Sequence, residues 1–257
     1  MKLSILLAED TSLNQRLIRK IVQKWGDELD IANDGQEAID KLKIRHYDII
    51  LMDIQMPVKD GYSAAKHIRE LGNTETKNIP IIALTAHATK EEAEKCLSIG
   101  MNAYISKPFD PKFLRETILQ LTSRSMPPEQ TELKNVVTEN AGLYDLTYLI
   151  DHAEGDNTFL EEMIGIFLAE TPKLLEELRE NINEVNYLKI KVTSHSMKGL
   201  FLTLGINKAA IYLREIETLA EDGSSFDRIK ENFEKISSIF NSCEAPLTNE
   251  LHKIRSS

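Results

Sequence analysis

Residues 47–53 (YDIILMD) form a nearly continuous aliphatic run that ends in Asp53. A strand this uniformly apolar is buried on both faces, which is typical of a parallel sheet covered by helices. Four other short runs have the same character, and they are LSILLA (3–8), ELDIA (28–32), IPIIALTA (79–86) and NAYIS (102–106). Helical patterns separate the runs, at 12–25, 34–45, 61–72, 88–100 and 110–121. This alternation predicts a five-stranded parallel α/β domain over residues 1–121.

Charged and hydroxyl side chains stand at the carboxyl ends of the predicted strands, where open parallel sheets collect their functional groups. They are Glu9, Asp10, Asp53, Thr85 and Lys107. Three converging carboxylates repel one another, and a bound Mg²⁺ relieves this because it prefers carboxylate, water and phosphate oxygens. Asp53 could then attack phosphorus as a nucleophile, with Thr85 and Lys107 at the phosphoryl oxygens.

Four stretches, ILLAED, ILMDIQMPVKDGYSA, IIALTA and AYISKPF, resemble the receiver domains of two-component response regulators across residues 1–121. The resemblance implies a flavodoxin-like fold with the strand order 2-1-3-4-5. It also implies that Asp53 is the phosphoacceptor. Mg²⁺ would be held by Glu9, Asp10, Asp53 and the backbone carbonyl of Gln55.

The same resemblance assigns the other residues of the site. Thr85 and Tyr104 match the switch pair that moves on phosphorylation, Lys107 binds the phosphate, and the Lys107–Pro108 peptide is expected to be cis.

A phosphatase of the haloacid dehalogenase type also uses a strand-end aspartate and Mg²⁺. That family needs a second aspartate two residues after the nucleophile, where Gln55 cannot serve as a general acid.

The chain changes character after residue 121. Residues 122–142 include a Pro-Pro pair and polar residues without a clear period, so we predict a linker whose r.m.s. reach is roughly 25 Å. Beyond it, apolar side chains recur at three- and four-residue steps from Phe159 to Ile182 and from Phe226 to Phe240. These stripes predict an antiparallel helical bundle over residues 143–257, with Pro172 kinking or interrupting one helix.

His195 lies in a helical segment, residues 185–204, that includes the sequence SHSMKG. At 3.6 residues per turn it lies about 200° from Met197 of the apolar stripe, so we expect it to point outward. Gly199 weakens a helix interior by roughly 1 kcal/mol, which is explained if a partner must approach closely. We interpret the strip around His195 as a docking surface, and its members are Lys191, Lys198, Gly199 and Leu202.

The stretch SHSMKG…LG resembles the phosphoacceptor helix of histidine phosphotransfer (HPt) domains, and it implies that His195 is phosphorylated. Lys198 and Gly199 match the family's Lys-Gly pair. Leu200 and Phe201 are bulkier than the family pattern, and we expect them to face the bundle core. A histidine-kinase dimerisation helix fits poorly, because Ser196 stands where such helices usually have glutamate.

Composition limits the classes of partner. With 31 basic and 41 acidic side chains the net charge is −10, which predicts no nucleic-acid partner. No apolar run is long enough to span a membrane, and the two cysteines are far apart, as is typical of a reducing compartment. We therefore expect a cytoplasmic protein that does not bind membranes by itself.

Together the two resemblances imply the C-terminal part of a hybrid sensor histidine kinase, acting as a Mg²⁺-dependent phosphorelay protein. Phosphoryl groups would pass from a sensor histidine kinase to Asp53, then to His195, then to a downstream response-regulator receiver. Without an ATP-binding kinase domain, the chain would be a phosphotransfer protein rather than an enzyme. The alternative is a regulatory binding module or phosphate sink in which only Asp53 is phosphorylated and His195 is idle.

Overall fold

The computed structural model describes residues 2–71, 74–85, 90–122 and 142–255. The chain forms two compact units, an α/β unit followed by a helical one. The predicted linker at 122–142 lies outside the described residues except at its two ends. None of the described helices is long and apolar enough to cross a bilayer.

The α/β unit contains all five predicted strands and the five predicted helices. Its strands are β1 (Ser4–Ala8), β2 (Glu28–Ala32), β3 (Ile49–Asp53), β4 (Ile81–Thr85) and β5 (Ala103–Ser106). Its helices are α1 (Ser12–Lys24), α2 (Gly35–Ile44), α3 (Gly61–Glu70), α4 (Thr74–Lys77), α5 (Lys90–Ser98) and α6 (Pro111–Thr122). The short α4 was not predicted, because its four residues TETK carry no apolar period.

The five strands form one parallel sheet in the order β2-β1-β3-β4-β5, which confirms the predicted topology. Residues of β3 and β4 are buried throughout, as strands covered on both faces must be. In the register, Ala8 lies opposite Met52 and Asp53 lies opposite Leu84. The carboxyl ends of β1, β3 and β4 therefore meet at one edge of the sheet.

Aspartate side chains begin two helices of this unit. Asp34 accepts hydrogen bonds from the backbone N–H groups of Gln36 and Glu37 at the start of α2. Asp60 accepts one from Ser63 at the start of α3. Each cap satisfies N–H groups that have no partner within the helix, which fixes where the chain turns after β2 and β3.

The described part of the helical unit contains five helices. They are α7 (Thr147–Ala153), α8 (Asn157–Asn183), α9 (Tyr187–Thr203), α10 (Asn207–Asp222) and α11 (Phe226–Arg255). Three phenylalanines meet in its core, with ring centroids of Phe167 and Phe201 5.2 Å apart and those of Phe167 and Phe240 5.9 Å apart. The predicted bundle is confirmed, but an interruption at Pro172 is wrong: α8 continues through this residue, whose ring is exposed.

Candidate functional site

Three carboxylates meet at the carboxyl edge of the sheet, as the strand ends predict. Glu9 and Asp10 directly follow β1, Asp53 ends β3, and one oxygen of each lies within 4.8 Å of the others. Glu9 is fully buried and Asp53 is 2% exposed, whereas Asp10 is half-buried. This concentration of negative charge in a buried place requires compensation by a cation.

Lys107 supplies part of that compensation. Its Nζ lies 2.6 Å from Oε2 of Glu9 and 2.5 Å from Oδ2 of Asp53, just beyond the end of β5. The Lys107–Pro108 peptide is cis, which confirms the expectation from sequence. Burial raises the pKa of Glu9 to about 7, an effect that Lys107 opposes and that Asp53 and Asp10 reinforce. Burial would lower the pKa of Lys107, but Asp53 and Glu9 hold it above its usual value, so the ammonium stays charged.

The donor set fits a hard divalent cation. One ammonium does not balance three carboxylates, and the close donors are all carboxylate oxygens, which Mg²⁺ prefers. The backbone N–H of Gln55 donates to Oδ1 of Asp53 at 3.3 Å, which helps to orient that carboxylate. A role for the Gln55 carbonyl as a further ligand stays a prediction.

The two residues of the predicted switch pair lie on neighbouring strands. Thr85 is buried at the end of β4, with its hydroxyl oxygen 3.5 Å from Oε2 of Glu92 on α5. Tyr104 on β5 is partly buried and packs against the apolar core of the sheet. The placement is compatible with a switch, and the switching role stays a prediction.

The loop after β3 packs closely against the backbone of Asp53. The backbone N–H of Gly61 donates to the carbonyl of Ile54 at 2.8 Å. A Cβ atom at Gly61 would lie 2.1 Å from the carbonyl oxygen of Asp53, so only glycine fits here. Val58 in the same loop is 85% exposed and has φ +63°, a conformation that is strained for a β-branched residue.

His195 lies on α9 against a buried carboxylate of α10. Its Nδ1 is 3.3 Å from Oε1 of Glu217, and Nζ of Lys198 is 2.5 Å from Oε2 of the same residue. His195 is 7% exposed and Lys198 is 1% exposed. The expected exposure of these two side chains is therefore wrong, because both turn towards Glu217. Leu200 and Phe201 are fully buried in the bundle, as expected.

The other residues of the predicted docking surface are more accessible. Nζ of Lys191 lies 2.9 Å from Oε1 of Glu221, and Gly199 and Leu202 are half-buried. Leu188, near the start of the same helix, is 75% exposed. A docking role for Lys191, Gly199 and Leu202 stays a prediction, whereas Lys198 is occupied by an ion pair inside the bundle.

Glu217 is a site residue that the sequence analysis missed. It lies on the apolar stripe of α10, four residues after Leu213 and three before Ala220, both buried. A single acidic residue on an otherwise apolar stripe was the feature of the sequence that could have indicated a buried, paired carboxylate. Burial alone would raise the pKa of Glu217, but hydrogen bonding from His195 and the charge of Lys198 outweigh it and hold the pKa below its usual value. The carboxylate is thus ionised and able to stabilise positive charge on the imidazole.

Both parts of the chain match families of known proteins. Residues 5–119 match the family described as the response regulator receiver domain, and residues 162–239 match the family described as the Hpt domain. Sensor protein EvgS of Escherichia coli (strain K12) is 32% identical over 217 residues, covering 84% of this chain. Hybrid signal transduction histidine kinase I of Dictyostelium discoideum is 47% identical over 119 residues, covering 44% of this chain.

The chain spans only 17% and 7% of the lengths of these two relatives. Among solved structures, a similar one is the receiver domain of a sensor histidine kinase from Pseudomonas aeruginosa PAO1, which has a magnesium ion coordinated in its active-site cleft. It is 38% identical, covers 48% of this chain and 98% of that domain, and gives a TM-score of 0.44.

Proposed function

We propose that this chain relays phosphoryl groups between proteins, on the premise that residues 5–119 are a response regulator receiver domain and residues 162–239 an HPt domain. One observation carries the proposal: each domain places an acceptor side chain in a charged, mostly buried site. Asp53 lies beside Lys107, and His195 lies beside Glu217. We divide the chain into a receiver (1–121), a linker (122–142) and an HPt bundle (143–257).

In the first step, a phosphohistidine of a sensor histidine kinase donates to Asp53. A carboxylate oxygen of Asp53 attacks phosphorus, the P–N bond breaks, and its electron pair returns to the donor imidazole, leaving an acyl phosphate on Asp53. The Lys107 ammonium and the Thr85 hydroxyl would contact the phosphoryl oxygens. Glu9, Asp10, Asp53 and the Gln55 carbonyl would hold Mg²⁺, which when bound neutralises charge on the transferring group.

In the second step, an imidazole nitrogen of His195 attacks the phosphorus of the acyl phosphate. The P–O bond to Asp53 breaks, and the aspartate leaves as a carboxylate. Glu217 faces Nδ1, so we propose Nε2 as the acceptor, with the proton retained on Nδ1. No proton leaves during this transfer, and the positive charge that develops on the ring faces the ionised Glu217.

The partners that follow from this role are a sensor histidine kinase upstream and a separate response-regulator receiver downstream. Gly199 and Leu202 would contact the partner receiver beside His195, and Thr85 with Tyr104 would report phosphorylation of Asp53. The two buried thiols, Cys96 and Cys243, are free, which is compatible with the reducing cytoplasm as the site of action.

The order of transfer is tested by labelling the full chain from acetyl phosphate that carries a radioactive phosphoryl group. We expect an acid-labile, base-stable label on His195 that disappears in Asp53→Asn and in His195→Gln. His252→Gln, a change at an exposed histidine, is the matched control and should keep the label. An Asp53→Asn chain that labels His195 at the wild-type rate refutes the order, and a wild type without base-stable label leaves only the regulatory alternative.

Transfer from Asp53 to His195 within one chain is tested by dilution. The appearance of label on His195 is followed at chain concentrations that differ by about a hundredfold. A first-order rate constant independent of concentration supports intramolecular transfer through the predicted linker. A rate constant that falls in proportion to concentration refutes it.

A further inference from the structure

The side-chain amide of Gln15, in the first turn of α1, connects two loops at the carboxyl edge of the sheet. Its Nε2 donates to the backbone carbonyl oxygen of Glu9 at 2.6 Å and to Oδ1 of Asn33 at 3.0 Å. Glu9 lies in the loop after β1, and Asn33 lies in the loop after β2. An amide nitrogen carries two hydrogens, and here each hydrogen holds one loop.

Asn33 is itself anchored to α2. Its backbone N–H and its Nδ2 both donate to Oε2 of Glu37, each at 2.8 Å. Because Nδ2 is used for Glu37, Oδ1 is the atom turned towards Gln15, and the amide orientations agree along the whole chain of hydrogen bonds. The backbone hydrogen bond from Asn33 is the main reason why the pKa of Glu37 lies below its usual value, so this anchor stays ionised.

The main chain of Glu9 is therefore held on both sides of its Cα atom. Its N–H donates to the carbonyl of Ala32 at 3.0 Å, and its carbonyl accepts from Gln15. The carbonyl of Glu9 and the N–H of Asp10 belong to one planar peptide unit, so fixing the first fixes the direction in which the chain continues into Asp10. The Gln15 amide is thus bonded directly to the peptide unit that joins Glu9 to Asp10.

The placement of ligands matters for Mg²⁺ more than for most cations. Mg²⁺ demands near-octahedral geometry, so a small displacement of one ligand weakens binding strongly. Groups that hold metal ligands in place typically contribute about 10–100-fold to affinity. On the basis of the proposed function, we infer that Gln15 is a positioning residue that sets the divalent-cation affinity of Glu9, Asp10 and Asp53 without touching the cation.

The test compares Gln15→Ala and Gln15→Met in the full chain. Methionine is unbranched, uncharged and of nearly the same size as glutamine but cannot donate to the Glu9 carbonyl, so neither lost packing nor added charge can explain its behaviour. Gln36→Ala is the matched control, because the Gln36 amide donates to the Asp40 carboxylate, at 3.2 and 3.3 Å, within α2. Mn²⁺ binding is measured from the electron paramagnetic resonance signal of the free ion, and Mg²⁺ binding by competition.

We expect the Kd for Mn²⁺ to rise about tenfold in both Gln15 variants and to stay within twofold in Gln36→Ala. Asn33→Ala removes the hydrogen bond between Gln15 and Asn33 but keeps the one from Gln15 to Glu9, so the Kd for Mn²⁺ should rise less in this variant. Thermal unfolding without metal is measured alongside, because a merely structural role would lower the melting temperature and leave Kd unchanged. Values of Kd within twofold of wild type in both Gln15 variants would overturn the inference.

A second readout separates affinity from chemistry. In labelling from acetyl phosphate, the Mg²⁺ concentration for half-maximal rate should rise by the same factor as Kd, while the rate at saturating Mg²⁺ stays within twofold. A lower labelling rate at saturating Mg²⁺, with an unchanged Mg²⁺ concentration for half-maximal rate, would contradict a positioning role. A wild type that binds cation but is not labelled on Asp53 refutes the proposed function and leaves the binding comparison of the Gln15 variants intact.

Discussion

Glu217 offers the sharpest test of the bundle site, because one buried carboxylate serves both His195 and Lys198. Lys198 is 1% exposed and its Nζ lies 2.5 Å from the carboxylate, so the ion pair is desolvated. Removing one partner of a buried pair costs about 3–5 kcal/mol, since the remaining charge stays in a poorly solvating environment. We therefore expect Glu217→Ala to lower the free energy of opening of α9 and α10 by about 3–5 kcal/mol.

The assay is amide hydrogen exchange followed by mass spectrometry on the full chain, with peptides from α9 and α10 reporting the bundle. Glu215→Ala is the matched control on the same helix. Glu215 pairs with Arg228 at 2.5 Å, but the two side chains are 30% and 62% exposed, so this change should cost about 0–1 kcal/mol.

A double substitution tests the same ion pair. Lys198→Met with Glu217→Leu replaces the ion pair by apolar side chains of similar size, and it should recover most of the stability lost in Glu217→Ala. A loss in Glu217→Ala that is no larger than in Glu215→Ala would refute the desolvated pair. Labelling of His195 should fall in both changed chains, because neither keeps the carboxylate that faces Nδ1.

Three further outcomes are expected. Gly61→Ala should lower the free energy of unfolding of the receiver by about 3 kcal/mol, because the added Cβ would overlap the Asp53 carbonyl. Unfolding in urea is monitored by the fluorescence of Trp25, and an unchanged midpoint would refute the close approach. Val185→Gly should stabilise the bundle by about 1 kcal/mol, because valine is strained at φ +54°. Unfolding is monitored by circular dichroism, and destabilisation would contradict this expectation. The pKa of Glu217 in the folded state is lowered from 4.5. The ionised carboxylate therefore contributes its full stability to the fold above pH 4.5, and this contribution is lost as the pH falls through the folded-state pKa. Glu217→Ala should thus lose less stability than wild type on acidification from about pH 5 to about pH 3 in the same exchange assay, and parallel losses would count against the ion pair.

The receiver site could be predicted from sequence because a parallel sheet converts sequence position into spatial position. Each strand is a short apolar run, and the residue after the run lies at the same edge as the residues after its neighbours. That rule brings Glu9, Asp53 and Lys107 together without knowledge of any side-chain contact. It does not reveal Gln15, whose partner is a backbone carbonyl and whose spacing from Glu9 follows no periodic pattern.

The bundle site was harder to predict, because the phase of one helix says nothing about what a neighbouring helix presents. Phasing placed Leu200 and Phe201 correctly in the core. It placed His195 on the outside because the phase of α9 carries no information about Glu217 on α10, towards which the imidazole turns. The expected interruption at Pro172 failed for a similar reason: a proline on an exposed face of α8 is tolerated when tertiary packing holds the rest of the helix.

The ion pairs of Lys107 also have a consequence for the order in which the chain is made. Lys107 lies 98 residues after Glu9 and 54 residues after Asp53. During synthesis the acidic residues leave the ribosome well before the ammonium that balances them. A nascent receiver therefore has an acidic sheet edge until β5 and Lys107 emerge, and a fragment that stops before residue 107 retains the acids but lacks their cationic partner.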